Sequence, residues 1–208
     1  MSGMRDRFRT QVRQEVKDLA LAQLAAGGPQ ALSINAIARE LGVSGPALYR
    51  YFASRDALLT ELIVDAYDDL GAATAAAAPE LSGTADAYRA WARAQPHRYR
   101  LLFTAPLPGY DAHGPDLVAA AQRAMSSLLA VVAADTPAAD PELSAQLAAW
   151  ARARGDAGTE PAVAVGAVTL WSRLHGFVSL EIEGNFASMG VDPDLLFERE
   201  KRSVAAGQ

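Results

Sequence analysis

The sequence predicts an all-α protein, and three observations lead to that prediction. Apolar residues recur three and four positions apart along most of the 208 residues, which is the spacing of an amphipathic helix. Runs of alternating apolar and polar residues long enough for a sheet do not occur. Pro, Gly and Asp residues interrupt the chain where the helical spacing stops. The chain is also long enough to bury a sizeable core.

The composition narrows the compartment and the chemistry. Cysteine is absent, so disulfides, thiolate metal sites and a cysteine nucleophile are excluded. Because a reducing compartment is the simplest fit, we expect a cytoplasmic protein. The first 20 residues are basic but contain no apolar signal segment, and no stretch of about 18 apolar residues runs without Gly, Pro or charge. We therefore expect no contact with a membrane.

Charge is distributed unevenly along the chain. The formal net charge is -5, but residues 1–55 hold eight Arg and Lys against four acids, a net charge of +4. The remaining residues hold eleven bases and twenty acids, a net charge of -9. Electrostatic attraction to phosphate must therefore be concentrated in the first quarter of the chain.

Four helices are predicted in the first third of the chain. The first covers about residues 4–26 and ends at a Gly-Gly-Pro stop; its apolar side is formed by Phe8, Val12, Val16, Leu19 and Leu24. Ser33 caps the second, about 34–41, and Gly42 ends it. Ser44 caps the third, about 45–51, which tolerates Pro46 in its first turn. Ser54 caps the fourth, about 55–77.

The rest of the chain predicts six more helices, with no internal repeat. Their approximate ranges are 84–95, 96–104, 115–134, 141–154, 160–185 and 193–205. The Ala runs in this part are typical of helices rather than of disordered tracts.

The second and third helices match a helix-turn-helix. Gly42 permits the left-handed turn between them, and a small shared core is predicted from Ile34, Ile37, Leu41, Val43, Leu48 and Phe52. Small residues at the head of the third helix permit close approach to bases in a major groove. The Tyr49 hydroxyl can bind a phosphate, and the Arg50 guanidinium can donate two parallel hydrogen bonds to guanine or to phosphate.

The segment LSINAIARELGVSGPALYRYFASRDALLTELI, Leu32 to Ile63, resembles the DNA-binding signature of the tetracycline-repressor (TetR) family of transcription regulators. The resemblance implies an N-terminal three-helix DNA-binding unit followed by a helical ligand-binding and dimerisation domain. We place these domains at residues 1–54 and 55–208. By position, the resemblance assigns DNA contacts to Ser33, Gly45, Pro46, Ala47, Tyr49, Arg50, Tyr51 and Arg55. Tyr51 stands where many members have His, and Arg55 where many have Lys.

The C-terminal half carries a weaker signal. The segment LWSRLHGFVSLEI, Leu170 to Ile182, resembles the Trp-x-x-x-His-Gly (WHG-type) stretch of one TetR-type C-terminal subclass. Aromatic residues here belong more often to a core than to a pocket. As candidates for ligand contact we name Trp91, Phe103, Trp171 and His175, although a hydrogen-bonded core histidine is the commoner role for His175.

Catalytic and metal-binding patterns are absent from the sequence. The three histidines form no His-x-x-x-His pair, and no Gly-rich phosphate loop or Gly-x-Ser-x-Gly elbow follows a strand. We therefore predict no enzyme activity, no cofactor and no metal.

Together these patterns predict a homodimeric transcription regulator, most simply a repressor. It would bind a near-palindromic operator in double-stranded DNA and be released by a small apolar effector, with residues 160–185 and 193–205 at the subunit interface. Two alternatives stay open on the sequence alone. The C-terminal domain could bind a protein partner instead, or the chain could be a helical carrier or enzyme with a helix-turn-helix look-alike.

Overall fold

A computed structural model describes residues 3–77, 80–103, 109–132, 140–153 and 158–206. These residues form helices and turns without a strand, so the all-α prediction is confirmed. A 3-10 turn covers Pro29–Ala31. The α-helices are α1 (Met4–Gly27), α2 (Ile34–Glu40), α3 (Gly45–Leu48), α4 (Arg55–Ala75), α5 (Leu81–Ala94), α6 (Pro96–Phe103), α7 (Pro115–Val131), α8 (Pro141–Ala153), α9 (Pro161–Ile182), α10 (Asn185–Ser188) and α11 (Pro193–Ala206).

Several helix ends differ from the sequence-based expectation: α5 begins at Leu81 rather than at about residue 84, and α4 ends at Ala75 rather than at about 77. The third helix was expected to reach about residue 51, but α3 ends at Leu48 and the chain continues in tight turns, with Tyr51 N–H donating to the Leu48 carbonyl oxygen at 2.8 Å. The helix expected over 160–185 ends at Ile182, because Gly184 adopts a left-handed conformation with φ +75° and starts the short helix α10.

The chain divides into two compact units. The first comprises residues up to Ala66 together with His97–Ala119, and the second comprises Tyr67–Pro96 together with residues from Ala120 onward. Helix α4 therefore contributes its first half to one unit and its second half to the other. The domain boundary between residues 54 and 55 stays a prediction.

The first unit packs its helices around a continuous apolar core. Phe52 and Leu48 lie at its centre with exposed fractions of 2% and 1%. The other core residues of α1 to α4 are Val16, Ala20, Leu24, Leu32, Ile34, Ile37, Ala38, Leu58, Leu59, Leu62, Ile63 and Ala66. Five residues expected on apolar faces are not in this core: Val12, Leu19 and Leu41 are half-buried, and Phe8 and Val43 are exposed. Phe8 is 63% exposed because the first two turns of α1 extend beyond the core. Val43 is 42% exposed because it lies in the turn after Gly42.

The second unit is organised around α9, which contacts α5, α8, α10 and α11. Phe177 of α9 lies between two other rings, with centroid distances of 4.9 Å to Phe186 and 5.0 Å to Phe197. The buried residues of α9 are Ala164, Ala167, Leu170, Leu174, Phe177 and Val178. A helix with neighbours on several sides is expected to be apolar nearly all round.

An ion pair is buried inside this second unit. Arg89 of α5 binds Glu181 of α9 through two parallel hydrogen bonds of 2.7 and 2.6 Å, and it also binds Asp194 at 2.7 Å. The side chains of Arg89 and Glu181 are each only 9% exposed. The guanidinium also lies 4.6 Å from the centroid of the Phe197 ring. Hydrogen bonds from both partners and the ring face compensate for the desolvation of these charges.

Helix α9 is the one helix among the described residues that is long and apolar enough, by length and composition alone, to cross a bilayer. Its contacts with four other helices account for that apolar composition within the fold.

Candidate nucleic-acid interface

Helix α2 is capped by hydrogen bonds at both of its ends, and those at its C-terminal end form the turn that leads to α3. Ser33 Oγ accepts a hydrogen bond from the Ala36 backbone N–H at 3.3 Å, so the predicted N-cap is confirmed. At the other end Gly42 has φ +68°, the Val43 N–H donates to the Ala38 carbonyl oxygen at 2.9 Å, and the Gly42 N–H donates to Arg39 O at 3.2 Å. This is the Schellman arrangement, which requires a left-handed residue at Gly42.

Helix α3 begins with small residues that leave its backbone accessible. Ser44 caps α3 by position, with its carbonyl oxygen accepting from Ala47 N–H at 2.9 Å and without a hydrogen bond from its side chain. A Cβ atom on Gly45 would lie 2.9 Å from Asn35 Oδ1 of α2. Because this oxygen is the end of an exposed side chain, it can move aside at little cost. Pro46 is exposed and Ala47 is half-buried.

Tyr49 and Arg50 follow the buried Leu48 on the surface. Tyr49 is 47% exposed, and the exposed Arg50 side chain makes no hydrogen bond or ion pair to the described residues. Tyr51 is half-buried. The turn that replaces the last part of the predicted helix thus presents a hydroxyl and an unpaired guanidinium side by side.

Arg55 is placed differently from the other predicted contacts. Its Nη2 donates a hydrogen bond to the Pro29 carbonyl oxygen at 2.9 Å, and its Nε is buried without a partner in the described chain. Arg55 therefore joins the start of α4 to the loop that follows α1. Five N–H donors on a guanidinium leave others for a further contact.

Arg13 and Lys17 of α1 have a role that the sequence analysis missed. Arg13 donates to the Tyr51 carbonyl oxygen and to the Glu61 carboxylate, and its guanidinium lies 4.4 Å from the centroid of the Phe52 ring. Lys17 pairs with Asp65 at 2.7 Å. The signal is present in the sequence, since two bases four residues apart in α1 match two acids four residues apart in α4.

These ion pairs change the electrostatic balance inferred from the sequence. Glu61 and Asp65 lie beyond residue 55, so they were outside the segment with net charge +4. Counted over the whole first unit, ten bases face nine acids, a net charge of +1. The attraction to phosphate therefore depends on particular exposed bases. Those without a partner in the described chain are Arg7, Arg9, Arg39 and Arg50.

The residues predicted to contact a ligand are divided between the two units. Phe103 belongs to the first unit, where its ring centroid lies 4.9 Å from that of Tyr99. Trp91 is buried in the second unit and donates from Nε1 to Asp69 at 2.9 Å. Trp171 and His175 stack on each other in α9, with centroids 5.6 Å apart. Burial lowers the pKa of His175 below its usual range, so its ring is neutral at pH 7.

In the parts of the chain that the structure describes, no group of three or more His, Asp or Glu side chains is arranged to hold a metal ion.

Comparisons with known proteins agree with this architecture. Residues 18–62 match the bacterial regulatory proteins of the tetR family, and residues 81–204 match a tetracyclin repressor-like C-terminal domain. The HTH-type transcriptional regulators Mb1846 of Mycobacterium bovis and Rv1816 of Mycobacterium tuberculosis are each 32% identical to the chain over 222 residues. In both alignments 98% of this chain and 95% of the relative are covered.

A solved crystal structure shares both sequence and fold with the chain. It is described as that of a regulatory protein, SCO4313, which is 44% identical and superposes with a TM-score of 0.86 over 97% of this chain and 98% of that one. The C-terminal match contains the Trp171–Gly176 stretch, but its assignment to the WHG-type subclass stays a prediction. The match to both domains and the full-length similarity show that the chain belongs to the TetR family of DNA-binding transcriptional regulators and is not an enzyme.

Proposed function

We propose that this regulator is a homodimeric repressor that binds a near-palindromic operator and is released by a small apolar effector. The observation that carries the DNA-contact part is the surface formed after Leu48, where Tyr49 and the unpaired Arg50 are exposed next to the small residues of α3. The proposed contacts are Ser33, Gly45, Pro46, Ala47, Tyr49, Arg50, Tyr51 and Arg55. A repressor of this kind would act in the cytoplasm.

Two copies of the chain are needed to read an operator of this kind. A two-fold dimer that holds two recognition helices about 34–36 Å apart reaches successive major grooves on one face of DNA. Helices α9 and α11 are the proposed subunit interface. Support comes from large apolar side chains left exposed around them, because Leu180 is 47% exposed and Leu195 is 71% exposed.

The effector is proposed to bind in the second unit beside α9. The half-buried Trp171 and His175 rings and the neutral state of His175 suit an apolar molecule with a flat or aromatic part. An effector that prefers the non-binding conformation by about 1–3 kcal/mol would weaken operator binding about 5- to 150-fold. A ligand with equal affinity for both conformations would leave binding unchanged.

The test begins with selection of bound sequences from random duplex DNA, followed by affinity measurements on the selected operator. Tyr49→Phe removes one hydroxyl from each subunit and should weaken binding of the dimer about 30-fold, the value of two hydrogen bonds of about 1 kcal/mol each. Arg50→Ala should weaken binding more and flatten the log–log salt dependence by about 1.8, because each of the two subunits loses one phosphate contact. Selection of sites without two-fold symmetry, or unchanged affinity in both variants, would contradict the proposed interface.

Release of the operator by small molecules tests the second part. Compounds that free the DNA should lose potency when Trp171 is replaced by Ala while operator affinity is retained. If only a protein from the same cell releases the DNA, the C-terminal unit binds a protein partner instead.

A further inference from the structure

The first two turns of α1 project from the first unit without packing against it. We refer to residues 4–11 as the α1 arm. Every described side chain of the arm is exposed, including Met4 at 87% and Phe8 at 63%, whereas Val16 and Ala20 further along the same helix are fully buried. Two large apolar side chains on a free helix end are unfavourable in water unless something covers them.

The arm faces the predicted DNA contacts across a shallow groove. The groove is lined by Met4, Phe8 and Arg9 of the arm and by Arg50 and Tyr51, is largely open to solvent, and has a volume of about 700 Å³. The exposed apolar pair therefore lies beside the residues that follow α3, within the same compact unit.

The positive charge of the groove favours a polyanion as the molecule that binds there. Of the residues that line the groove, Arg9 and Arg50 are exposed and have no acidic partner among the described residues. Asp6, the single acid in the arm, accepts a hydrogen bond from the Gly3 backbone N–H at 3.1 Å and closes the start of the helix. Unpaired guanidiniums around an apolar floor match the phosphates and the deoxyribose rings of one DNA strand.

The arm is held at a fixed position relative to the recognition residues. Helix α1 runs without interruption from Met4 to Gly27, so the arm is a rigid extension of a packed helix. Arg13, four residues after Arg9, donates to the Tyr51 carbonyl oxygen and lies over the Phe52 ring. This contact fixes the register of α1 against the end of the recognition segment, and so the arm loses little entropy when it binds.

We propose that the α1 arm is a second DNA-contacting element, in which Phe8 and Met4 pack against deoxyribose and Arg9 pairs with a phosphate of the strand that lies in the groove. The inference rests on the proposed placement of Arg50 and Tyr51 at the DNA. The α1 arm would add contacts beyond those of the helix-turn-helix and lengthen the stretch of DNA that each half-site protects.

The experiment compares operator binding by Phe8→Ala and Arg9→Ala with two controls on α8, Leu143→Ala and Arg152→Ala. The controls remove an apolar and a basic side chain that are also exposed but lie outside the proposed interfaces. Phe8→Ala should weaken affinity about tenfold without changing the salt slope, since it removes apolar contact only. Arg9→Ala should flatten that slope by about 1.8, one phosphate contact in each half-site. Hydroxyl-radical footprints of both should lose protection at one edge of each half-site.

The outcomes separate this proposal from the proposed function. If Arg50→Ala impairs binding while Phe8→Ala and Arg9→Ala behave like the controls, the arm does not contact DNA and the proposed function stands. If Phe8→Ala changes the sedimentation mass of the free protein, the arm contacts a second copy of the chain and the proposal is overturned. If the wild-type protein selects no duplex, both proposals fail.

Discussion

Arg13 of α1 donates a hydrogen bond to the backbone carbonyl oxygen of Tyr51, at the end of the recognition segment. The same guanidinium binds Glu61 of α4 and covers the Phe52 ring at 4.4 Å. One side chain thus connects the scaffold helix, the recognition segment and α4. Because α3 has only four residues, the turn that follows it depends on contacts of this kind for its conformation.

Replacement of Arg13 by Ala should therefore destabilise the protein and weaken operator binding. The charge-assisted hydrogen bonds are partly exposed, so we expect a loss of about 1–2 kcal/mol in the free energy of unfolding, measured by chemical denaturation. Arg9→Ala, on the exposed side of the same helix, is the matched control for stability and should change it by less than about 0.5 kcal/mol. Equal stability of the two variants would show that the Arg13 contacts contribute nothing.

Arg55→Ala should have two separable effects. Loss of the hydrogen bond to the Pro29 carbonyl oxygen should lower the free energy of unfolding by about 1 kcal/mol. Loss of the charge from both subunits should flatten the log–log salt dependence of operator binding by about 1.8 if the remaining N–H groups reach a phosphate, as proposed. Arg55→Lys is the control, since it keeps the charge and loses the planar fork. An unchanged salt slope in Arg55→Ala would remove this residue from the DNA interface and leave only its structural role.

The elements of this fold were predictable because their signals are local. Ser33 and Ser54 cap their helices as expected, and the oxygen of Ser54 accepts from Ala57 N–H at 3.0 Å. Gly42 adopts the left-handed conformation that the turn requires. Caps, periodicity and glycine conformation depend on neighbours within a few residues, and so one sequence reveals them.

The contacts between helices were less accessible to sequence reasoning. Phe8 fits the apolar spacing of α1, yet it is 63% exposed because no described helix covers it. The pairing of Arg89 with Glu181 joins residues 92 positions apart, and it was not predicted because charge spacing along one helix does not identify the partner helix. In the candidate interface the exposed Tyr49 and Arg50 were predictable, while the internal contact of Arg55 depends on where the loop at Pro29 lies.

Gly71 of α4 allows a close approach to α7 in the second unit. A Cβ atom at this position would lie 3.2 Å from Ala124 Cα, and this neighbour is backbone that cannot swing away. Gly71→Val should therefore destabilise the protein by about 1–3 kcal/mol in thermal or chemical unfolding. Gly176→Ala in α9 is the contrasting control: its Cβ would meet nothing within 4 Å, and the loss of backbone freedom in the unfolded chain should stabilise the protein by about 0.5–1 kcal/mol. A neutral Gly71→Val would show that the two helices separate without cost.

Loss of one partner of the buried Arg89–Glu181 pair should destabilise the protein, whereas replacement of both partners should change its stability little. Glu181→Leu leaves the Arg89 guanidinium buried with Asp194 as its remaining partner, and we expect a loss of about 3 kcal/mol in the free energy of unfolding. The double variant Arg89→Met, Glu181→Leu removes both charges and should recover most of that loss. Asp86→Asn, which weakens a more exposed pair with Lys201, should change stability by less than about 1 kcal/mol. A double variant no more stable than Glu181→Leu would contradict this account.

His175 should make the stability of the protein depend on pH in weakly acidic solution. Burial lowers its pKa in the folded state below the value of about 6.5 expected when unfolded, so between these two values the unfolded chain binds more protons. The free energy of unfolding should therefore fall as the pH drops through this window. Above the window His175 should contribute no pH dependence. Replacement by Phe keeps a ring to stack on Trp171 and should remove this part of the pH dependence, measured by urea unfolding from pH 5 to 8. His113→Gln, at an exposed position before α7, is the control and should leave the wild-type profile unchanged. Parallel profiles for the wild-type protein and His175→Phe would mean that the ring is hydrated in the folded state and does not contribute.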